Sequence, residues 1–518
     1  MAIADLLTAD TPFLLPVATL TAVLVVGFAY SRSQAQKNSK LPPGPPQYPF
    51  IGNLLQLVKA ERPHLLFRGW SKQYGPIVRF NVLGFQSIIV NKLPIAIELL
   101  EKRGAIYSDR PNMILENELL GWGAAMPTMR YGAQFRKHRR LSQALLNPNA
   151  ARSYATMHEE LSSRLLTALY DHPEKFRESI LVYGTTTIFR LAYDLDITSE
   201  EHELVKLASG AIRKSAEAYQ ASGALVDVFP SLKWFYTSYP DSAPFSGFKK
   251  TISNLREMVI KANGIPYEMA KEKIRDGSAQ RCVVNDAIAS CGGLENLSEE
   301  DEEDIRGLAG ILYGAGQDTT TATLNAFILA MINFPESQRK AQEEIDRVIP
   351  RDRLADLDDR PNLPYMENFL KELYRWTSPL EIAIPHAVIQ DDVYDGYFIP
   401  KGTSVIASIY DMLNECPRSG EFLPERFEPD SGLLGDVPTD PREVVFGFGR
   451  RRCPGLHVAD NSIWTATTRM LSCFEFKAEI IDGKECPPPL DFGKEMTRHP
   501  EPFKCRIIPR VGRKRLAD

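Results

Sequence analysis

Residues 446–455 read Phe446-Gly447-Phe448-Gly449-Arg450-Arg451-Arg452-Cys453-Pro454-Gly455, a glycine-loosened loop that delivers one cysteine to the start of a helix over 456–473. Proline suits the first turn of a helix, so Pro454 places Cys453 at the N-cap. Free amides, the helix dipole and the neighbouring arginines lower a thiol's pKa there and favour thiolate. The other cysteines (Cys282, Cys291, Cys416, Cys473, Cys486 and Cys505) are scattered without a CxxC pair or zinc-like spacing, as reduced thiols would be. A lone thiolate with no second cysteine or histidine beside it suits one metal that something else already holds. Iron in a porphyrin meets that description.

A second group is Ala315-Gly316-Gln317-Asp318-Thr319-Thr320. It lies in a helical run that Ser298 and Asp301 open as a capping box and Pro335 stops, with Glu299 to Asp304 reading as its solvated acidic start. At 1.5 Å per residue the run is about 50 Å long. Gly307, Gly310, Gly314 and Gly316 each cost such a helix about 1 kcal/mol against alanine. They are expected to clear one face for something large and flat. A third group pairs Glu372 with Arg375 at i,i+3 on an apolar helix face, with Arg426 farther along in Pro424-Glu425-Arg426-Phe427. A half-buried Glu372 needs partners, and the two arginines supply them.

Phe446, Gly449, Arg451, Cys453 and Gly455 fill the five fixed positions of F-x-x-G-x-R-x-C-x-G, the haem-binding signature of the cytochrome P-450 family. Ala315 to Thr320 resembles that family's oxygen-activation motif, Glu372 to Arg375 its E-x-x-R motif, and Pro424 to Phe427 its P-E-R-F element, all in the family's order. The resemblance covers the whole chain and is nearest the membrane-bound fungal enzymes of secondary metabolism. It implies a mainly α fold with a minor segregated β-sheet (α+β), haem b lying between a long central helix and a cysteine loop.

Several roles follow from that resemblance. Cys453 is the axial ligand of the haem iron, and Phe446 and Gly455 shape its loop. Arg139, Arg451 and His386 neutralise the haem carboxylates, with Phe135 standing where the family usually has tryptophan. Asp318 and Thr319 manage protons for bound dioxygen. Glu372, Arg375 and Arg426 form a structural triad. The loop before it, Asn414 to Phe422, is shorter than the family's, which implies weaker support for the triad. Tyr313, Ala315, Glu381 and Ile382 stand at substrate-contact positions, Glu381 being the one that could meet a polar group. The activity implied is a monooxygenase taking electrons from NADPH through a reductase, with cytochrome b5 as a further partner, and oxidising a small, largely hydrophobic molecule. The alternatives are a haem-thiolate isomerase or dehydratase needing no reductase, and a non-catalytic haem or lipid carrier. Arg136, Lys137, Arg140, Arg450 and Arg452 are either solvated charges or a basic face for an acidic reductase.

The elements that position these residues are mostly helical. An exception over 77–90 reads as a hairpin turning at Leu83-Gly84, and strand-like pieces recur near 388–399, 403–409 and 505–508. Helices are expected over 94–103, 131–146 and 335–348. The 518 residues carry 44% hydrophobic and 25% charged residues and a net charge of −5, which excludes disorder and offers no basic footprint for nucleic acid. Thr11 to Tyr30 runs twenty residues without a charge, about 30 Å as a helix. Asp5 and Asp10 precede it, while Arg32, Lys37 and Lys40 follow. The expected layout is a lumenal tail (1–10), a single-pass anchor (11–30), a basic, proline-rich hinge (31–47) and a cytosolic catalytic domain (48–518) at the endoplasmic reticulum membrane. The aromatic stretch Phe229, Trp234, Phe235, Tyr236 and Tyr239 belongs either to the membrane interface or to the core.

Overall fold

The computed structural model describes residues 41–219, 224–240, 242 and 247–511. The expected anchor over 11–30 and the hinge up to residue 40 lie outside the described residues. Among the described residues no helix is long and apolar enough to cross a membrane. The rest of the hinge, 41–47, is neither helix nor strand. It lies against the first strand, where the Arg79 amide donates to the Pro43 carbonyl at 2.8 Å.

The hairpin forms as its β-branched pattern requires. Strands β1 (Ile77–Val82) and β2 (Phe85–Val90) pair antiparallel, and Leu83 and Gly84 take positive φ at the turn. Strand β4 (Ser404–Ala407) adds parallel to β2, and β3 (His386–Ala387) closes the sheet antiparallel to β4. A separate ribbon joins β5 (Phe474–Lys477) to β6 (Arg506–Pro509). Helices make up most of the remainder, so the segregated sheet and mainly α class are what the structure has.

The helices that build the site are α1 (Ala133–Leu146), α2 (Phe176–Tyr193), α3 (Glu203–Ala218), α4 (Gly247–Arg275), α5 (Glu299–Asn333), α6 (Pro335–Val348), α7 (Pro364–Thr377) and α8 (Leu456–Cys473). Helix α5 is 35 residues long, and Ser298 caps it by accepting from the Asp301 amide at 3.1 Å. Its second half is apolar on every side, Leu324 to Ile332 being buried, so it runs through the main core between α7 and α8. Its acidic start is not wholly solvated. Asp304 is completely buried, 2.9 Å from His138 Nε2, 2.7 Å from Lys137 Nζ and 3.0 Å from Gln134 Nε2. This cluster fixes α1 against α5.

The four glycines of α5 do a different job from the expected one. A Cβ on Gly307 would lie 2.8 Å from the Ala124 carbonyl oxygen, and one on Gly310 would lie 2.7 Å from Asn263 Cγ of α4. Gly314 meets Ile212 of α3 at 3.2 Å, and Gly316 meets Ile188 of α2 at 2.5 Å. Gly307, Gly310 and Gly314 admit neighbouring protein rather than a flat ligand, while Gly316 packs on Ile188 at the edge of the cavity described below.

The charged triad is completely buried. Arg375 donates to both oxygens of Glu372 at 2.7 and 2.9 Å, and Arg426 Nε approaches from 3.3 Å. The remaining donors reach the short loop: Arg375 to the Leu413 and Glu421 carbonyls, Arg426 to those of Pro417 and Arg418. Glu372 also accepts from the Leu423 amide at 2.9 Å. The compact loop therefore does not leave the triad unsupported; its carbonyls satisfy the arginines that a buried carboxylate needs.

Replacing an exposed helical glycine by alanine ordinarily stabilises by about 1 kcal/mol. Gly307→Ala is expected to reverse that sign, because the new methyl meets backbone, and to cost about 1–3 kcal/mol. A lower denaturation midpoint with an unchanged m-value is the result to look for.

Candidate functional site

The cysteine loop folds back on itself, with the Cys453 amide donating to the Phe446 carbonyl at 2.7 Å. Positive φ at Gly447 and Gly449 makes the turn, and a Cβ on Gly449 would crowd the Leu100 and Glu101 backbone. Tyr374 of α7 sets its ring edge-on to Phe446 at 5.4 Å and donates to Asp460 Oδ1 of α8 at 3.1 Å. Helix α8 begins at Leu456 with Gly455 at its N-cap, so Cys453, expected to be the cap, lies two residues before it. A Cβ on Gly455 would sit 3.9 Å from Cys453 Sγ.

Cys453 opens into a cavity between this loop and α5. About 270 Å³ of it can be reached by the centre of a water molecule. Ala315, Gly316, Thr319 and Thr320 form one wall, and Phe446, Gly447, Phe448 and Cys453 the opposite one. The distal end is apolar, lined by Leu308, Ile311, Leu312, Leu380, Ala383 and Ile384. Among the described residues no Asp or Glu lines the cavity, yet Arg110, Arg139, Arg451 and His386 all do.

These cations are held by carbonyls. Arg451 donates to Ser108, Met126 and Met129 at 2.8, 3.1 and 2.7 Å, and its guanidinium stacks 3.8 Å from the centre of the Phe135 ring. Arg139 donates to the Arg452 carbonyl. Arg110, which sequence reasoning missed, is buried and donates to the carbonyls of Pro127, Ile384 and Pro385, each at 2.7 Å. Its only signal was the run Asp109-Arg110-Pro111, which reads as an ordinary turn. Burial depresses all three guanidiniums, Arg451 to about 10.

Two expectations about charge are corrected. The Cys453 thiol is raised: burial outweighs the Gly455 and Leu456 amides and the Arg139 and Arg452 charges, which do pull it down as foreseen. His386 is uncharged, because burial, with Arg110 nearby, pushes it down to about 3. Its Nδ1–H donates to the Tyr107 carbonyl at 2.8 Å, which leaves Nε2 as an acceptor.

The other expected site residues divide. Thr319 lines the cavity and donates to the Ala315 carbonyl at 2.8 Å. Asp318 is not on the cavity wall; Oδ1 pairs with His499 Nε2 at 2.9 Å. Tyr313 is buried, bonded to Ser209 at 2.9 Å, and lines a separate pocket the size of one water with Trp122 and Asn263. Glu381 is held by His64 at 2.5 Å and Arg498 at 3.2 Å, and Ile382 packs with the cluster around Phe67 and Trp70. Glu381 and Ile382 therefore face away from the cavity, because a carboxylate held by the Arg498 guanidinium and the His64 ring gains more there than in an apolar pocket. Of the possible substrate contacts only Ala315 is on its wall. Lys137 is engaged by Asp301 and Asp304, whereas Arg136, Arg140 and Arg450 are exposed near the loop.

The donor set suits a flat, largely apolar dianion carrying a metal that accepts a thiolate. It offers one sulfur, a buried guanidinium (Arg110), two partly buried ones (Arg139 and Arg451) and a gap between helix and loop.

The family model described as cytochrome P-450 matches residues 42–507. A cytochrome P-450 monooxygenase of Hericium erinaceus, eriC, is 67% identical over 500 residues, covering 96% of this chain and 98% of the relative. Another from Ampulloclitocybe clavipes, claR, is 35% identical over 480 residues, covering 92% of this chain and 87% of its own. A solved zebra fish cytochrome P-450 structure with progesterone aligns at a TM-score of 0.70 and 23% identity, covering 86% of this chain and 99% of that one.

His386 predicts an acid response. An unfolded histidine titrates near 6.5 and the folded one near 3, so only the unfolded state binds the proton between those values. The haem-free protein is expected to lose stability as pH falls through that window. His386→Gln should flatten the slope of denaturation midpoint against pH.

Proposed function

The chain belongs to the cytochrome P-450 family and is a haem-thiolate monooxygenase, and from that premise we propose what its own residues do. The observation that carries the proposal is the single cysteine sulfur facing Thr319 across a cavity whose walls hold three arginines and no acid. Haem b fits those residues. Cys453 would bind its iron, and Arg110, Arg139 and Arg451 would neutralise its carboxylates. His386 Nε2 would accept from a protonated carboxyl, or take up a proton and donate to a charged one. Bound haem supplies the activation of dioxygen, with a thiolate ligand that favours O–O cleavage.

The protein's share is positioning, exclusion of water and proton supply. Leu308, Ile311, Leu312, Ala315, Leu380, Ala383 and Ile384 hold an uncharged, hydrocarbon-rich molecule against the reacting centre, since a charged group there would lose its water without gaining a partner. The Thr319 hydroxyl rests on the Ala315 carbonyl and keeps lone pairs free for an ordered water. Asp318, one residue earlier on α5, supplies the proton. This pair favours an oxygenase over an isomerase or dehydratase, which needs no protons delivered to dioxygen.

Electrons come from NADPH through a flavoprotein reductase, with cytochrome b5 as a second donor. The exposed Arg136, Arg140 and Arg450 around the loop suit an acidic partner, giving an association that weakens with salt. The domain sits on the endoplasmic reticulum membrane through residues 11–30, facing the cytosol. Phe229, Trp234 and Phe235, each about half exposed, suit contact with the lipid interface better than a core.

Two substitutions test this reading. Cys453→Ala should abolish the thiolate signature of the reduced carbon monoxide spectrum. It should also remove the proton released when haem binds, because the raised thiol is protonated beforehand. Thr319→Ala should keep that spectrum and divert electrons to peroxide, lowering product formation by about 10²-fold. Unchanged coupling in Thr319→Ala would remove the hydroxyl from the proton path.

A further inference from the structure

Resting on the proton role proposed for Asp318, we infer that His499 recharges this carboxylate, making proton supply to the cavity a function of the charge on one histidine. Three observations carry it. Asp318 and Thr319 are consecutive on α5, yet only Thr319 reaches the cavity. The Asp318 carboxylate is instead 2.9 Å from His499 Nε2, and the Thr497 hydroxyl also lowers its pKa. Both side chains are partly exposed, Asp318 at 42% and His499 at 22%, so the pair can exchange protons with water.

The chemistry of the partner matters. Among the described residues no Lys or Arg lies within ion-pair distance of Asp318. A fixed cation would hold the carboxylate away from the cavity permanently, whereas histidine can give its charge up between pH 5 and 8. The Nε2–H bond of protonated His499 breaks and an O–H bond forms on Asp318 Oδ1, leaving a neutral imidazole and a neutral acid with no electron moved. That pair no longer attracts by charge, so the acid is free to turn about its side-chain torsions toward Thr319. There it gives its proton to an oxygen on the cavity side and returns as carboxylate. His499 then takes a proton from solvent.

The charged groups around the pair are engaged elsewhere or farther away. Tyr313 on α5 is raised by burial first and by the Asp318 charge second, and is bonded to Ser209 of α3. In the C-terminal segment, Arg498 is neutralised by Glu381 at 3.2 Å, and Glu495 and Glu501 lie on either side of the 497–499 turn. Arg177 of α2 is held on the carbonyls of Pro500 and Glu501.

The test needs no identified substrate. Haem-loaded full-length protein is reconstituted with NADPH–cytochrome P-450 reductase in phospholipid vesicles, without added substrate. Consumption of NADPH and O₂ and formation of peroxide are then measured from pH 5.5 to 8. Reduction to peroxide takes one NADPH per dioxygen and reduction to water takes two, so the ratio reports proton supply. In the unaltered protein the peroxide share should rise with pH, because an imidazole ordinarily gives up its charge over this range. His499→Gln keeps a hydrogen bond but carries no proton, and His499→Arg pins the carboxylate. Both should form water about tenfold more slowly, with a peroxide share that is high and flat across pH. Their reduced carbon monoxide spectra should be unchanged, which separates the effect from loss of the haem site. A normal pH profile in either variant overturns the relay; if Asp318→Asn still raises peroxide, Asp318 keeps its role without His499. A normal profile in both Asp318→Asn and Thr319→Ala overturns the underlying proton assignment instead.

Discussion

Positive charge withdrawn from water around one cavity, with no acid among the described residues on its wall, is the constraint around which the centre of this molecule is built. Arg110, Arg139 and Arg451 line one cavity, burial depresses all three, and no carboxylate shares the wall with them. Backbone carbonyls from residues 108, 126, 127, 129, 384, 385 and 452 take up their hydrogen bonds, so the fold supplies dipoles and leaves the charges to a ligand. Charges drawn out of water and held on dipoles in this way favour the arrival of an anion. The raised Cys453 thiol is the same problem with the opposite sign: burial opposes a bare thiolate until a metal shares its charge. A dianionic metal macrocycle answers both demands at once.

The triad of Glu372, Arg375 and Arg426 shows the complementary solution, where the counter-charge is part of the chain. Its members are completely buried, but every charge has a partner and the spare donors find carbonyls. The same helix α7 carries Tyr374 to the cysteine loop, so the closed network on one face steadies the open one on the other. Helix α5 is divided similarly along its length. Asp304 binds it to α1, Ala315, Gly316, Thr319 and Thr320 face the cavity, and Leu324 to Ile332 are core.

What the sequence made legible was local. The hairpin at Leu83-Gly84, the capped start of α5, α6 between Pro335 and Val348, and α8 from Leu456 each follow from turn, capping or periodic signals within a few residues. Cys453 was readable because its loop is a dense motif. What was not legible depended on partners distant in sequence. Gly316 looked like clearance for a ligand, and only the placement of α2 shows Ile188 filling the space. Asp304 looked like one more surface acid until α1 brought His138 to it. Glu381 could be a pocket residue on sequence grounds, but His64 and Arg498, more than a hundred residues away on either side, claim it. Arg110 lacked any local pattern.

The cavity also separates retention from selection. The groups suited to the macrocycle come from α1, the cysteine loop, the segment around Arg110 and strand β3, and they depend on carbonyl geometry that the fold fixes. The groups suited to a substrate come from the middle of α5 and the 380–384 segment, and these are plain aliphatic side chains. Exchanging one aliphatic residue for another of similar volume usually costs less than about 1.5 kcal/mol, whereas leaving one buried charge unpartnered costs several. The second set therefore tolerates exchange more readily than the first, which is why the loop that names the chemistry says so little about the molecule being oxidised.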